Sequence, residues 1–451
     1  MEIILSIIGF IIAIGILVTF HEFGHYYVAR LCNVKVLNFS IGFGKSILKK
    51  KFKGSDTEFS IGLIPLGGYV KMLESHELPN DAADTRFCFD KQNVYKRFLI
   101  VFAGPAFNLI LAVIFFTFVH FKGIPGIKPI IQSIDNVKNV PQIIEYEDME
   151  IYKVNNTITK RWQDVRIEIL NNVVDKSPIT LYLKDNNNER HAVDLKIDFD
   201  SVLQKEGDIV QNIGITAKKP NLPPIIGNVQ SDTPAHLSGL QKGDIIEKIN
   251  NETITNWADW VAIIQKNPNN LLEVSVIRSN KNQQLVIVPS EKYINGKLIG
   301  FAGVSPDTES LEKYKITVAY SFFSSIHQSL ISTYHYSVLT LKMIYKLVSG
   351  EANLKNLSGP ISIAEYTGKS LTMGMVYFAN ILAILSISLG VLNLLPIPLL
   401  DGGHLLFYTF EIIFGQPVSE NIQIMGQKIG LVILFGIMIL AFYNDFLRLL
   451  S

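Results

Sequence analysis

His21, Glu22 and His25 form an H-E-x-x-H pattern at the end of an apolar segment. Residues four apart lie on one face of a helix, so both imidazoles can reach the same metal ion. Imidazole nitrogen is a common zinc ligand, and the glutamate between the histidines can take a proton from water at such a site. The alternative is a pair of histidines that only end a membrane helix, with the glutamate in solvent. Ionisable groups at a membrane span are costly, which favours the metal site.

A catalytic zinc ion needs a third protein ligand, and the residues that follow His25 supply none. The next acidic residues, from Asp56 on, lie beyond a basic hairpin. Asp401 directly follows the third apolar segment and is the only acidic residue between Glu365 and Glu411. Pro396 and Pro398 break the helix just before it. Such a break frees backbone groups and lets a carboxylate turn inward. We therefore predict that Asp401 is the third ligand.

The composition of the 451-residue chain indicates a membrane protein with at least one further domain. Hydrophobic residues make up 48% of the chain and its mean hydropathy is +0.27. The formal net charge of +1 argues against nucleic acid as a partner. The two cysteines, Cys32 and Cys88, lie in one early stretch without a matched pair, so we expect reduced thiols and no thiolate zinc site.

Four apolar segments are long enough to cross the membrane as helices: residues 3–20, 98–121, 376–400 and 429–447. The first lacks the basic start and the cleavage site of a signal peptide, so we expect it to be retained. Lysine and arginine are concentrated between the first and second segments, which predicts that this loop is cytoplasmic. Residues 122–371 and both termini then lie on the outer side.

The stretch between the second and third segments contains an internal repeat. "MEIYKVNNTITKRWQDVRIEI" begins at Met149 and "GDIIEKINNETITNWADWVAI" at Gly243, which predicts two modules of one type. The second copy follows "VQSDTPAHLSGLQK" and resembles a PDZ domain, whereas the first is degenerate. The alternative is a pair of β-rich spacers without a ligand. Residues 320–348 are amphipathic and predict a helix at the outer interface. Residues 37–72 predict an apolar β-hairpin that re-enters the membrane.

The motifs together resemble the site-2 protease family of intramembrane zinc metalloproteases, over essentially the whole chain. The resemblance rests on "HEFGH", "NLLPIP" with "LDG", "LPLGGYVKM", "FAGPAFN" and the repeated modules. It implies a multi-pass α-helical membrane protein with four transmembrane helices, a membrane-associated β-hairpin region and two tandem PDZ-like α+β domains.

The resemblance also implies domain boundaries and site residues. The domains begin with the first transmembrane helix, which bears H-E-x-x-H (1–29), the cytoplasmic hairpin loop (30–97) and the second transmembrane helix (98–121). The two PDZ-like domains (122–220 and 221–307) and the amphipathic helices (308–371) come next. The third transmembrane helix (372–403) and the fourth helix with a short tail (404–451) complete the chain. One Zn²⁺ per chain is held by His21, His25 and Asp401, with Glu22 as the general base. The residues that would contact the substrate are Asn393, Gly67, Gly68 and Tyr69. Gly104, Pro105 and Asn108 match a second-span motif that helix packing explains equally well, and His404 is not a ligand.

The family's activity implies cleavage of transmembrane segments of single-span proteins after an earlier protease has trimmed them. The implied substrates are a trimmed anti-sigma factor in the envelope stress response and remnant signal peptides. The implied place is the bacterial inner membrane, with the PDZ-like domains in the periplasm and the active site near the cytoplasmic side. Two other classes stay open: a catalytically inactive scaffold that binds partners, and a metal transporter. A transporter would show polar residues in several spans or a repeat among them.

Overall fold

A computed structural model of the protein describes residues 2–52, 54, 56–78, 85–135, 146–218, 221–294 and 297–450. The helices within these residues are α1 Glu2–Leu31, α2 Val94–Lys122, α3 Trp162–Val174, α4 Phe199–Gln204, α5 Ile209–Asn212, α6 Pro234–Leu237, α7 Trp257–Lys266, α8 Phe322–Val348, α9 Pro360–Met373, α10 Met375–Asn393, α11 Asp401–Phe414 and α12 Glu420–Leu450.

The strands are mostly short. They are β1 Val36–Lys51, β2 Glu58–Met72, β3 Ile124–Ile127, β4 Ile131–Ile134, β5 Glu150–Val154, β6 Thr157–Ile158, β7 Thr180–Lys184, β8 Arg190–Asp194, β9 Ile215–Ala217, β10 Ile226–Val229, β11 Ile245–Ile249, β12 Glu252–Thr253, β13 Leu272–Arg278, β14 Lys281–Ile287, β15 Ser290–Ile294, β16 Lys297–Phe301, β17 Val304–Pro306 and β18 Lys315–Val318.

Four helices in the described part of the chain are long and apolar enough to cross a membrane, as predicted: α1, α2, α10 and α12. Helix α1 continues past residue 20 to Leu31, so the H-E-x-x-H pattern lies within the same helix as the span. The prediction that the third span continues to residue 400 is wrong, because α10 ends at Asn393. Pro396 and Pro398 cannot donate to a helix, and the chain turns before it starts α11 at Asp401. Helix α11 was not predicted as a separate element.

Helix α2 lies at the centre of the bundle and packs against α1, α8, α10 and α11. Its contact with α1 is close because Gly24 lacks a side chain. A Cβ at Gly24 would lie 2.5 Å from the carbonyl oxygen of Ala103. Small residues allow helix backbones to approach each other in this way in membranes. The helix that bears the histidines is therefore held directly against the middle of α2.

Strands β1 and β2 form the predicted hairpin, but it curls on itself. Residues 38–41 of β1 pair with residues 68–71 of β2 and also with residues 58–61 of the same strand. The first half of β1 therefore lies between the two ends of β2. Among the described residues, no further strand pairs with 68–71, so this end of β2 is an edge.

The repeated sequence forms two modules of the same design. Their four-stranded sheets have the orders β6-β5-β7-β8 and β12-β11-β13-β14, and each has one helix, α3 or α7, after its second strand. Each encloses its own hydrophobic core. Both modules leave and rejoin the bundle at one point, because β3 pairs with β18 and the Lys128 amide donates to the Tyr314 carbonyl at 2.8 Å.

Helix α8 forms as predicted, and its position at the outer interface stays a prediction. It packs lengthwise against α2, with the Phe116 and Tyr336 rings stacked 5.6 Å apart and Thr117 Oγ1 3.2 Å from Ser329 Oγ. Further along the helix, Leu339 contributes to the core of the first module. An amphipathic pattern specifies two unlike faces but not what covers them. The contacts of α8 with α2 and with the first module could therefore not be predicted from the sequence.

Candidate metal centre

Three side chains from distant parts of the sequence converge at one buried point. His21 Nε2 lies 3.1 Å from Asp401 Oδ2, and His25 Nε2 lies 3.5 Å from the same oxygen. The two Nε2 atoms are 3.2 Å apart. Both histidines are less than a tenth exposed. The structure thus brings together the three residues that the sequence predicts as zinc ligands.

Helix α2 fixes the ring of His25. Its Nδ1 donates a hydrogen bond of 2.9 Å to the carbonyl oxygen of Ile100, which leaves Nε2 for the site. Gly104, one turn further along α2, makes room for the rings. A Cβ at this position would lie against His25 Nε2 and 2.8 Å from His21 Cε1. Gly104 therefore has a direct role in the site besides helix packing, and the Ile100 carbonyl is a site group that no sequence pattern reveals.

The Nδ1 atom of His21 faces a different partner on α2. Asn108 Nδ2 lies 3.0 Å from it, and the Asn108 side chain is fully buried. Asn108 belongs to the second-span motif "GPAFN". Within that motif Pro105 lies inside α2, where it lacks the backbone N–H of an ordinary helical residue.

The position of Asp401 depends on the break between α10 and α11. The chain folds tightly there, because a Cβ at Gly403 would lie 2.6 Å from the Ile397 carbonyl oxygen. Leu399 has φ of +127°, a conformation that side-chain-bearing residues rarely adopt. Asp401 is then the first residue of α11, where a carboxylate is favoured by the helix dipole. The break thus turns a carboxylate from the end of the third span towards α1.

A cavity of about 520 Å³ opens beside His25 and Asp401. Its lining includes Glu22, His25 and Asp401, with the edge of β2 along another side. Gly68 in that edge lies next to the glutamate, since a Cβ there would be 3.0 Å from Glu22 Cγ. The remaining lining residues are Tyr69, Val70, Lys71, Met72, Glu74, His76, Glu77, Phe89, Val101, His404 and Tyr408.

Two of the predicted substrate-contact residues lie away from this cavity lining. Asn393 is the last residue of α10, and among the described residues no hydrogen bond joins it to the three ligands. Gly67 has φ of +153° and lies against the Phe43 ring, so its glycine is needed for the shape of the hairpin. Tyr69 lines the cavity and Gly68 adjoins Glu22. The contacts of all four with substrate stay predictions.

The donor atoms fit a zinc ion. Asp401 Oδ2 is buried and has no hydrogen-bond partner in the described part of the structure, although two imidazole nitrogens face it. The ligand atoms of the three residues all lie within 4.8 Å of one another. Two imidazole nitrogens and one carboxylate oxygen are a donor set that zinc peptidases use, and it leaves a coordination position open.

Comparisons with known proteins agree with this geometry. Residues 9–437 match the model of "Peptidase family M50". The chain is 37% identical over 442 residues to "Regulator of sigma-E protease RseP" of Escherichia coli (strain K12), covering 98% of each chain. It is 39% identical over 458 residues to a "Putative zinc metalloprotease" of Vibrio cholerae, covering 99% of this chain and all of the other.

A solved structure also matches part of the chain. It is the PDZ domain of an SdrC-like protein from Listeria monocytogenes, with 17% identity over 20% of this chain and 92% of that one. The TM-score of 0.17 is too low to carry an argument about the fold.

This chain belongs to peptidase family M50, the site-2 protease family. It is a metalloprotease, and the predicted family and the predicted zinc cofactor are confirmed.

Proposed function

We propose that the protein is an intramembrane protease that cuts the transmembrane segment of single-span membrane proteins. The observation that carries the proposal is the meeting of His21 and His25, in the first span, with Asp401, which follows the third span. Two of the proposed ligands lie on one candidate span and the third directly follows another, which supports a reaction at the membrane rather than in a detached domain. The cavity beside them also has charged walls, which would admit water.

Glu22 acts as the general base in this proposal. It lines the cavity together with His25 and Asp401, so it can take a proton from the attacking water and deliver it to the leaving amine. Zinc, when bound, polarises the scissile carbonyl and makes water a better nucleophile. His21, His25 and Asp401 hold the ion, and the neighbouring glycines keep the pocket open.

A transmembrane helix hides its peptide bonds, because its backbone groups are already paired. The substrate must therefore unwind locally before it can be cut. Residues 68–71 of β2 form an edge beside Glu22, and an extended substrate could add to this edge as a further strand. Strand addition would hold the unwound segment by backbone hydrogen bonds, with little dependence on its side chains. Asn393 is proposed to steady the same segment near the ligands.

The hairpin is proposed to lie in the membrane. Large apolar side chains are exposed along its outer half, among them Phe43, Ile47, Leu48 and Leu63. Such side chains are stable in lipid and unfavourable in water. The apolar side chains would anchor the hairpin in the membrane at the cytoplasmic end of the spans, where its edge strand can bind the substrate.

The repeated modules are proposed to be PDZ-like domains on the periplasmic side that restrict access to the site. Their sequence resemblance and shared strand order support the first point, and the basic loop at 30–97 supports the second. They would exclude proteins that still carry a bulky outer domain. The name of the Escherichia coli relative refers to sigma-E regulation, so we propose a trimmed anti-sigma factor as one substrate, and remnant signal peptides as another.

Cleavage by the purified protein tests the proposal. The full chain, reconstituted in lipid vesicles, should cut a helical single-span substrate with a short outer tail. A zinc chelator should stop the reaction and added Zn²⁺ should restore it. A zinc-loaded protein that binds the substrate without cutting it would indicate a scaffold. Movement of zinc across the vesicle membrane without cleavage would indicate a transporter.

The orientation can be tested by cysteine labelling in intact cells, with Cys32 and Cys88 first replaced by Ser. Asn251 and Lys91 are both exposed, so neither is protected by the fold. A membrane-impermeant reagent should label Asn251→Cys and not Lys91→Cys. The reverse labelling pattern would invert the proposed topology.

A further inference from the structure

The two histidine ligands have second partners of different chemical kind. The partner of His25 Nδ1 is the Ile100 carbonyl oxygen, which can only accept a hydrogen bond. His25 must therefore carry its proton on Nδ1, which leaves the Nε2 lone pair for a metal ion. The partner of His21 Nδ1 is the side-chain amide of Asn108, which offers both a donor and an acceptor.

One atom of that amide has no partner. Asn108 Oδ1 is fully buried and makes no hydrogen bond within the described residues. An imidazole whose Nε2 binds a metal ion would carry its proton on Nδ1 and would need an acceptor there, so the end of the amide that faces His21 matters. Half a turn of the amide group exchanges Oδ1 and Nδ2, because the two ends have nearly the same shape. Oδ1 would then face His21 Nδ1.

We propose that Asn108 is a positioning residue for the metal site: its Oδ1 accepts a hydrogen bond from His21 Nδ1–H. This inference rests on the proposed function, since it gives the buried amide a task at the same zinc site. With the proton held on Nδ1, the Nε2 lone pair of His21 points at the place where Asp401 Oδ2 and His25 Nε2 also converge. Asn108 thus does for His21 what the Ile100 carbonyl does for His25.

Helix packing alone does not account for the Asn108 side chain. The contact of α2 with α10 at this level uses the Asn108 backbone, because Ser386 Oγ donates to the Asn108 carbonyl oxygen at 2.7 Å. Gly390 of α10 also lies close to Asn108, because a Cβ added at Gly390 would be 3.3 Å from Asn108 Cβ. Both contacts are available to any residue of similar shape. The amide is needed only by the group that it faces, which is His21.

Two substitutions of nearly equal size separate positioning from packing. Asn108→Leu keeps the shape and removes the acceptor, whereas Asn108→Asp keeps the shape and supplies only acceptors. Partners of metal-bound histidines typically contribute about 10- to 100-fold to metal affinity. We expect Asn108→Leu to weaken zinc binding by about this factor, and Asn108→Asp to bind zinc as the unsubstituted protein does. Ser386→Ala, which removes the neighbouring helix contact, should leave zinc affinity unchanged.

The measurement is zinc affinity of the full-length protein in detergent, by competition with a chromophoric chelator, with thermal unfolding in excess chelator as the control for folding. Weak zinc binding by Asn108→Leu with normal binding by Asn108→Asp supports the proposal. Equal affinities for both variants and the unsubstituted protein overturn it, as does equal weakening of both variants together with a lower unfolding temperature in chelator. If His21→Ala leaves zinc affinity unchanged, the metal site itself is wrong, and the proposed function fails together with this inference.

Discussion

Two aspartates with buried carboxylate oxygens, one in the second module and one in the helical bundle, have opposite surroundings. Asp244 has no exposed surface and is surrounded by donors. Arg278 donates to its two oxygens at 2.7 Å each, and the backbone N–H of Gln241 donates to Oδ2 at 2.9 Å. A buried charge with this many hydrogen bonds is stable where it lies. Both oxygens of Asp244 are therefore hydrogen-bonded within the module, and this carboxylate belongs to its architecture.

Asp401 has the opposite arrangement. Its Oδ2 is buried without a hydrogen bond among the described residues, and the atoms nearest to it are nitrogens of two histidines. Burying a carboxylate in this state is expensive unless something else completes its surroundings. A divalent cation would do so. The comparison teaches that burial and charge alone do not mark a functional carboxylate, whereas burial with an unsatisfied oxygen beside lone-pair donors does.

The largest difference between the two regions is expected in catalysis. Glu22→Gln keeps the shape of the side chain but removes the base, so cleavage should fall by about two to four orders of magnitude. Zinc content should be unchanged, because Glu22 is not one of the three ligands. The measurement is the single-turnover rate on a short-tailed substrate, alongside metal analysis. Asp244→Asn, in the second module, should cut the same substrate at the normal rate. Near-normal cleavage by Glu22→Gln would contradict the mechanism.

Metal content should separate Asp401 from other acidic residues. Asp401→Ala leaves two nitrogens from one helix, too few for a typical catalytic zinc site, so zinc should be lost and cleavage with it. Glu58 is a suitable control, since it lies in the hairpin and pairs with Lys49 at 2.9 Å. Glu58→Ala should retain zinc. Metal analysis after dialysis decides the matter, and full occupancy in Asp401→Ala with loss in Glu58→Ala would move the third ligand into the hairpin.

The sequence predicted which three side chains meet better than it predicted their surroundings. His21 and His25 follow from helical spacing, and Asp401 follows from the proline break and the lack of a nearer acid. The Ile100 carbonyl could not be predicted, because every residue has one and only the packing of α2 on α1 selects it. The prediction ended the third span at residue 400 and assigned residues 404–451 to the fourth helix with its tail, so α11 was not recognised as a separate helix. Hydropathy indicates that a segment prefers an apolar environment to water, but it does not indicate where the chain turns.

Removal of both modules should change substrate choice and spare the chemistry. Lys128 and Tyr314 are already hydrogen-bonded neighbours, so residues 129–313 can be excised with the ends joined by a short turn. We expect normal zinc content and normal cleavage of short-tailed substrates. Substrates with a large folded outer domain should now be cut too. Because Leu339 loses the core that covers it, Leu339→Ser should accompany the deletion. Continued rejection of large substrates would contradict the gating role.

The smallest effect on zinc binding and cleavage is expected from a substitution of Asp244, the hydrogen-bonded aspartate of the second module. Asp244→Ala leaves Arg278 without its charged partner, and breaking a buried pair typically costs about 3–5 kcal/mol. We expect about 3 kcal/mol, the lower end, because the Arg278 side chain is 23% exposed and can reach water. The loss should be confined to the second module, because the described residues of its core include none from the membrane-spanning helices or from the first module. Hydrogen exchange should therefore show faster exchange in β11 and β13 and unchanged protection in α1 and α2. Zinc content and cleavage of short-tailed substrates should stay normal. Loss of zinc in Asp244→Ala would couple the module to the metal site and remove the distinction between the two aspartates.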